Sequence, residues 1–374
     1  MKKISNFNLI SLMIILLFTT TYGEGIYVVI KEAGVDSYLS IIISSIFSCL
    51  FIFVFNFLFN YEPDLNIFEK NKKLFKYPFI PNLLVVLFAL LVSSVQFFNL
   101  TNFIVSQFLS ETHPIFIGLI FCLLIIYVGS KDLSVLAKTA TIFLFINFFL
   151  FFVSAFGLLT EFKFDNLLPF LEHGLNKPIL GSIRIFFINV CPLFLLLLIP
   201  KNKVINFKNR STFISYFIYL VLSLTMIIFT IGSLGIDLAK LYQYPEYIVL
   251  RRINFLNFLT RIENILFIQW IFGLFTLMSF STFVVKEKLK FKFNYVIIGV
   301  LILIISFSCF RSLTIFNEFM YNIYPYIGAL FLVYVLIMFV LGKIKTSKNS
   351  FIFLSIILSL FPFILITVSY VSSV

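Results

Sequence analysis

An acidic residue inside a long apolar run is the first place to expect chemistry in this chain. Glu24 lies in the string Thr19-Thr20-Thr21-Tyr22-Gly23-Glu24-Gly25, within an otherwise apolar stretch. At that depth in a bilayer a carboxylate is costly unless it is paired, hydrated or protonated. Glu24 can accept a ligand ammonium, hold a cation or take a proton. It can equally be a neutral, hydrogen-bonded group that only fixes helix packing. Gly23 and Gly25 permit unwound backbone beside it. An unwound helix bares N–H groups that suit a carboxylate and C=O groups that suit a cation or ammonium. An amino acid carries both charges and is a natural ligand for such a break.

A second interruption is expected at Asn189-Val190-Cys191-Pro192, where proline removes a helix hydrogen bond. Two polar helix faces can complete a pocket. Ala89, Ser93 and Gln96 fall at i, i+4 and i+7, and Gln269, Gly273 and Thr276 repeat that spacing, with Leu277 and Ser281 beside them. Small residues at these positions also allow close helix packing. The remaining candidates carry less. His113 and His173 have no Cys or His partner at ligand spacing, so no metal is expected. No phosphate-binding loop, nucleophile elbow or zinc-protease motif occurs, and neither an enzyme nor a cofactor is expected. Arg184, near the outer end of its span, is expected to snorkel. Asp237, Glu246 and Glu263 stand near Arg251, Arg252 and Arg261 and read as solvated loop pairs. Trp270 reads as a packing or interface anchor. Cys49, Cys122, Cys191 and Cys309 lie in apolar runs and read as small buried hydrophobes.

The elements that must position these residues are membrane helices. Only 12% of the 374 residues are charged and 61% are hydrophobic, which leaves too little polar surface to cover a water-soluble object. Eleven spans are expected, all helical because an open strand in lipid leaves backbone groups unpaired. They run about Asn8–Ile30, Ser37–Phe59, Pro81–Phe108, Pro114–Gly129, Leu133–Leu158 and Ile179–Ile199. The others run about Thr212–Leu234, Ile262–Val285, Phe293–Phe310, Met320–Leu341 and Ser350–Ser369. Lys2 and Lys3 before Leu9–Phe18 resemble a signal peptide, but Thr19-Thr20-Thr21-Tyr22 is a poor cleavage site. The run is therefore taken as the first helix.

Basic residues collect in alternate loops, at Lys2 and Lys3, Lys70 to Lys76, Lys131 and Lys138, Lys201 to Arg210, Lys286 to Lys292 and Lys343 to Lys348. The positive-inside rule then puts the N-terminus in the cytoplasm, and an odd number of spans puts the C-terminus outside. The net charge of +12 is an orientation signal that also meets anionic lipid headgroups, and nucleic-acid binding is excluded. Two outer segments, Thr160–Pro178 and Gly235–Arg261, are long. The second has apolar residues near helical spacing and reads either as an amphipathic helix in the interface plane or as a loop with a short helix. Two sets of five spans plus one suggest an inverted-repeat transporter architecture, whose first and sixth spans are broken near the midplane.

Three segments together resemble the spore germination permease family, the B subunits of nutrient germinant receptors, a branch of the amino acid–polyamine–organocation superfamily. One is Tyr244-Pro245 through Arg261-Ile262-Glu263 to Trp270-Ile271. The second is Leu168-Pro169-Phe170-Leu171-Glu172-His173-Gly174 with Pro178-Ile179, and Pro200 at the end of the sixth span. The third is Gly23-Glu24-Gly25 followed by Ala33-Gly34-Val35-Asp36-Ser37-Tyr38. The resemblance implies an all-α polytopic protein with a LeuT-like 5+5 inverted-repeat bundle over residues 1–342. Residues 343–374 would add an extra C-terminal helix. It implies a pocket for a small, amino acid-like nutrient built from Thr21, Tyr22, Gly23, Glu24, Gly25, Ala89, Ser93, Cys191, Pro192, Thr276, Leu277 and Ser281, with Gln96 on the same face. It further implies partner A and C subunits and a place in the spore inner membrane. The chain departs from the family at Glu24, where a small residue is usual, and at Phe194, where an acidic one is common.

Overall fold

The computed structural model describes residues 2–172, 174–253, 263–291 and 293–346. His173, the stretch 254–262 and the span expected at Ser350–Ser369 lie outside the described residues. The chain opens with a two-residue strand β1 (Ile4–Ser5) and then α1 (Asn6–Thr20). Ser5 caps α1 reciprocally: its hydroxyl accepts the Asn8 N–H at 3.1 Å and the Asn8 side chain accepts the Ser5 N–H at 3.0 Å. After a break, α2 (Ile26–Ala33) completes the first pass. Gly34, at φ 60°, turns the chain back into α3 (Ser37–Asn60).

A short helix, α4 (Ile67–Leu74), leads into α5 (Phe79–Gln107), α6 (Pro114–Gly129) and α7 (Leu133–Leu158). The sequence marks the last two starts: Pro114 opens α6 behind a His113 cap, and Asp132 accepts the Ser134 N–H at 2.8 Å before α7. Then come α8 (Asn176–Leu193), strand β2 (Val204–Ile205), α9 (Asn209–Leu234), α10 (Ile236–Leu241), α11 (Pro245–Leu250) and α12 (Glu263–Lys288). The described chain ends with α13 (Asn294–Cys309), α14 (Leu313–Glu318) and α15 (Tyr324–Thr346).

Seven stretches are long and apolar enough to cross a membrane, and the first, Asn6–Asn60, doubles back at Gly34. With the shorter apolar helices Pro114–Gly129 and Asn294–Cys309, ten passes result among the described residues. They coincide with the first ten expected spans, and the protein is a multi-pass membrane protein. α1 is the central pass: Ser11 through Thr20 are all buried, as expected of a helix apolar on every side. Peripheral helices show broad apolar faces instead, with Phe116 and Leu123 on α6 and Phe149 and Phe156 on α7 exposed.

Three expectations need correction. The sixth pass does not unwind at Asn189–Pro192; α8 runs through Pro192 and tightens into a 3-10 turn at Phe194–Leu198. Pro192 is the penultimate residue of α8, so the loss of its N–H falls on the last turn, which the 3-10 geometry absorbs. Cys122 and Cys191 are buried as expected, but Cys49 and Cys309 are exposed on the outside of the bundle. Up to Ile253 the segment after α9 forms two short helices, of which α11 is turned inward with Pro245, Glu246, Tyr247, Val249 and Leu250 buried rather than exposed; the rest of the expected amphipathic stretch, with Phe255, Phe258, Leu259 and Ile262, lies outside the described residues.

The cytoplasm-assigned loop after α3 holds an unforeseen feature. Lys70 on α4 is fully buried, and its ammonium donates to the Leu58 carbonyl at 2.6 Å. Leu58 is in the last turn of α3, where carbonyls lack helical partners and attract cations. Burial pulls the Lys70 amine down to about 7.

Candidate functional site: a break in the first pass

α1 ends at Thr20, and the regular helix resumes at Ile26. Between them Tyr22 is extended, with ψ at 133°, and Gly23 has φ 80° and ψ −81°. That conformation is strained for any residue with a Cβ. Space forbids one as well: a Cβ on Gly23 would stand 2.5 Å from Trp270 Cζ2 and 3.0 Å from Asn99 Nδ2. The break is therefore fixed by glycine and by the indole laid against it.

Side chains from three other elements converge on this point. The Gly23 N–H donates to Glu246 Oε1 of α11 at 2.7 Å. Glu24 accepts from Gln96 Nε2 at 2.8 Å and from Asn99 Nδ2 at 2.7 Å, both on α5. Tyr244 donates to Asn99 Oδ1 at 3.1 Å and accepts from Asn102 at 3.1 Å. Gln269 of α12 donates to the Tyr22 hydroxyl at 3.3 Å. Trp270 has ring contacts with Tyr22, Tyr244 and Phe103. One turn below, Thr20 donates to Asn189 of α8 at 2.9 Å, and Thr21 and Asn189 both meet Tyr219 of α9.

The cluster is closed to solvent, since Tyr22, Glu24, Gln96, Asn99, Tyr244, Glu246 and Gln269 are each no more than 3% exposed. Gln96 Oε1, Gln269 Oε1 and Glu246 Oε2 are buried there without a hydrogen-bond partner. Buried acceptors with no donor are unfavourable. A closed set of two carboxyls and spare carbonyl-type oxygens, with one main-chain donor between them, suits a small polar molecule.

The expected residues fall into two groups. Thr21, Tyr22, Gly23, Glu24, Gly25 and Gln96 are at the break. The others are on the surrounding helices. Ser93 donates to the Met278 carbonyl at 3.4 Å and Thr276 to the Phe272 carbonyl at 2.8 Å. Cys191 donates to the Gly328 carbonyl of α15 at 3.5 Å, with Pro192 beside it on α8. Ala89, Leu277 and Ser281 are fully buried.

Sequence reasoning missed Asn99 and Glu246. Asn99 continues the Ala89–Ser93–Gln96 face by one more turn, a signal that was present. Glu246 carries no local signal, since its neighbours Arg251 and Arg252 suggest a solvated pair; it is 1% exposed instead. Those arginines are engaged elsewhere, Arg251 over the Tyr247 ring and Arg252 with the Ser233 carbonyl.

Arg184 does not snorkel. Its Nε lies 3.1 Å from Glu32 Oε2, and the two side chains are 5% and 7% exposed. The guanidinium stacks 3.5 Å above the Tyr321 ring, whose hydroxyl donates to the same Glu32 oxygen. α2, α8 and the turn Phe319–Ile323 are thus clamped together above the break. At the opposite end a cavity of about 340 Å³ is lined by charged residues including Glu69, Lys131, Asp132 and Lys286. Lys286 donates to the Gly129 carbonyl at 2.6 Å. Among the described residues no group of three or more His, Cys, Asp or Glu is placed to hold a metal.

Comparison with known proteins agrees with this architecture. The family described as spore germination protein matches residues 3–305. Spore germination protein XB of Bacillus anthracis is 23% identical over 329 residues, 86% of this chain and 91% of that protein. Putative spore germination protein YfkT of Bacillus subtilis is 30% identical over 217 residues, 56% of this chain and 57% of that protein. In fold, the chain is similar to a manganese transporter from Eremococcus coleocola solved with an aromatic bis-isothiourea substituted compound. The TM-score is 0.67 at 15% identity, covering 98% of this chain and 87% of that one. A mutant of that transporter gives a TM-score of 0.62 at 13% identity, covering 98% and 95%. The fold is the all-α, LeuT-like transporter bundle.

Proposed function

The chain belongs to the spore germination permease family, and from that premise we propose that it is the B subunit of a germinant receptor, binding a small amino acid-like nutrient at the Gly23 break. The observation that carries this reading is the pairing of unwound backbone at Gly23 with a buried Glu24 held from both sides by Gln96 and Asn99. The ligand ammonium lies toward Glu24 and the Gln96 carbonyl oxygen, and its carboxylate toward the main-chain donor. Thr21, Tyr22, Gly25, Ala89, Ser93, Cys191, Pro192, Thr276, Leu277 and Ser281 complete or back the pocket. Residues 1–342 act as the ten-helix unit. The N-terminus is cytoplasmic, the membrane is the spore inner membrane, and A and C subunits relay the signal. Binding biases a two-state rearrangement of the bundle.

The test is a thermal-shift screen of the purified protein against small amino acids, followed by Glu24→Gln. Stabilisation by one or a few amino acids, with its strength or its pH dependence altered in the variant, is the expected result. Unchanged dose curves in Glu24→Gln remove that residue from the mechanism. A second reading, an autonomous amino-acid transporter, draws support from the transporter fold of the structural neighbours. Uptake of radiolabelled amino acid by the reconstituted chain alone would favour it, whereas binding without uptake favours the receptor.

A further inference from the structure

Glu246 belongs to a six-residue helix outside the passes, yet its carboxyl reaches the main chain of the central pass. One oxygen holds the Gly23 N–H at 2.7 Å, and the other is buried with no partner. The arginines a turn away do not neutralise it, because Arg251 lies over Tyr247 and near Gln107 while Arg252 meets the Ser233 carbonyl. Glu24, on the residue next to Gly23, puts a second carboxyl at the same break. A carboxyl oxygen is thus held on a freed backbone donor, while its companion oxygen is unmet and a like group lies close by. Such an arrangement costs free energy that the burial of Tyr247, Val249 and Leu250 must offset.

We infer that Glu246 is an internal occupant of the carboxylate half of the site, displaced when a ligand carboxylate takes the Gly23 N–H. This rests on the reading of the break as a nutrient site and sharpens it. The ligand must carry a carboxylate as well as an ammonium, and its arrival releases α11. The Tyr244–Asn99–Glu24 chain of hydrogen bonds joins the two events, since a ligand pulling on Glu24 loosens the residue two before Glu246. α11 follows α9 and α10 in the segment leading to α12, so its release alters the surface that the segment presents outside the bundle.

The experiment uses the full chain in nanodiscs, titrated with L-alanine and L-valine and with the matching amines, ethylamine and isobutylamine. Replacing Glu246→Gln weakens the internal competitor while keeping its size. The half-saturating concentration of the two amino acids is expected to fall about tenfold, with that of the amines unchanged. Equal or weaker amino-acid binding in the variant overturns the inference. Hydrogen exchange of residues 244–250 gives a readout that needs no ligand: exchange is expected to be faster in ligand-free Glu246→Gln than in the wild type. If no probe binds any form, the nutrient site itself fails, and the ligand-free exchange alone decides the role of Glu246. Equal protection in the two proteins would then overturn it.

Discussion

The first and sixth passes carry similar interruption signals and meet different fates. In the first, Gly23 leaves helical space altogether, and its N–H finds a partner on another element. In the sixth, Pro192 stays inside α8, and the change to 3-10 geometry comes only after it. A helix opens in lipid only where the freed groups are met from outside. Glu246 supplies that at the first pass by taking the Gly23 N–H, while Gln96 and Asn99 hold the Glu24 carboxyl beside it; the proline of the sixth needs little. The two passes are nevertheless bound together, above by Arg184 and Glu32 and below by Thr20 and Asn189.

The sharpest way to break this comparison is to separate the passes. Arg184→Met keeps much of the side-chain bulk and leaves Glu32 buried without its cation, so a loss of about 3–5 kcal/mol is expected. Thermal unfolding in detergent measures it, and adding Glu32→Gln should restore part of the loss. An additive double variant would show that the clamp is not a unit. Gly23→Ala comes next. Positive φ and the contact with Trp270 together predict roughly 3 kcal/mol of destabilisation. Pro192→Ala is the matched control in the sixth pass, with a change within about 1 kcal/mol expected by the same assay. Equal effects at the two sites would erase the distinction drawn between them.

A pH series sharpens the comparison further by removing a contribution from elsewhere. Burial lowers the Lys70 pKa to about 7 in the fold, against ~10.4 in the unfolded chain. Below pH 7 both states hold the proton and the fold bears the full burial cost. As pH rises from there toward ~10, the unfolded state binds more protons and stability increases. Lys70→Met should flatten that rise in a melting series from pH 6 to 9. Whatever slope survives in the variant belongs to other groups, those at the break included.

Much of this was readable in the chain because membrane passes are written locally. The apolar runs at about Pro114–Gly129 and Leu133–Leu158 coincide with α6 and α7, and glycine beside a polar cluster marks the break at Gly23. What escaped depends on distant partners. Glu246 looks solvated beside two arginines until α11 folds inward, and Arg184 looks interfacial until Glu32 and Tyr321 arrive from passes far away in sequence. Lys70 sits in a lysine-rich loop, and nothing local distinguishes it from its exposed neighbours. The Asp36 carboxylate accepting the Leu171 N–H at 3.0 Å joins two of the segments that suggested the family.

The pairing of β1 with β2 is only two residues long, Ile4 beside Val204 and Ser5 beside Ile205. Asn6 adds a bond to Ser211 of α9 and Asn8 one to Thr141 of α7, at 2.7 and 2.8 Å. The foot of the central pass is therefore geared to the chain that follows the sixth. A tilt begun at Gly23 cannot end at the membrane surface as a free swing. It must drag the 204–211 linker with it, so this small ladder would carry motion from the core to the opposite face of the bundle.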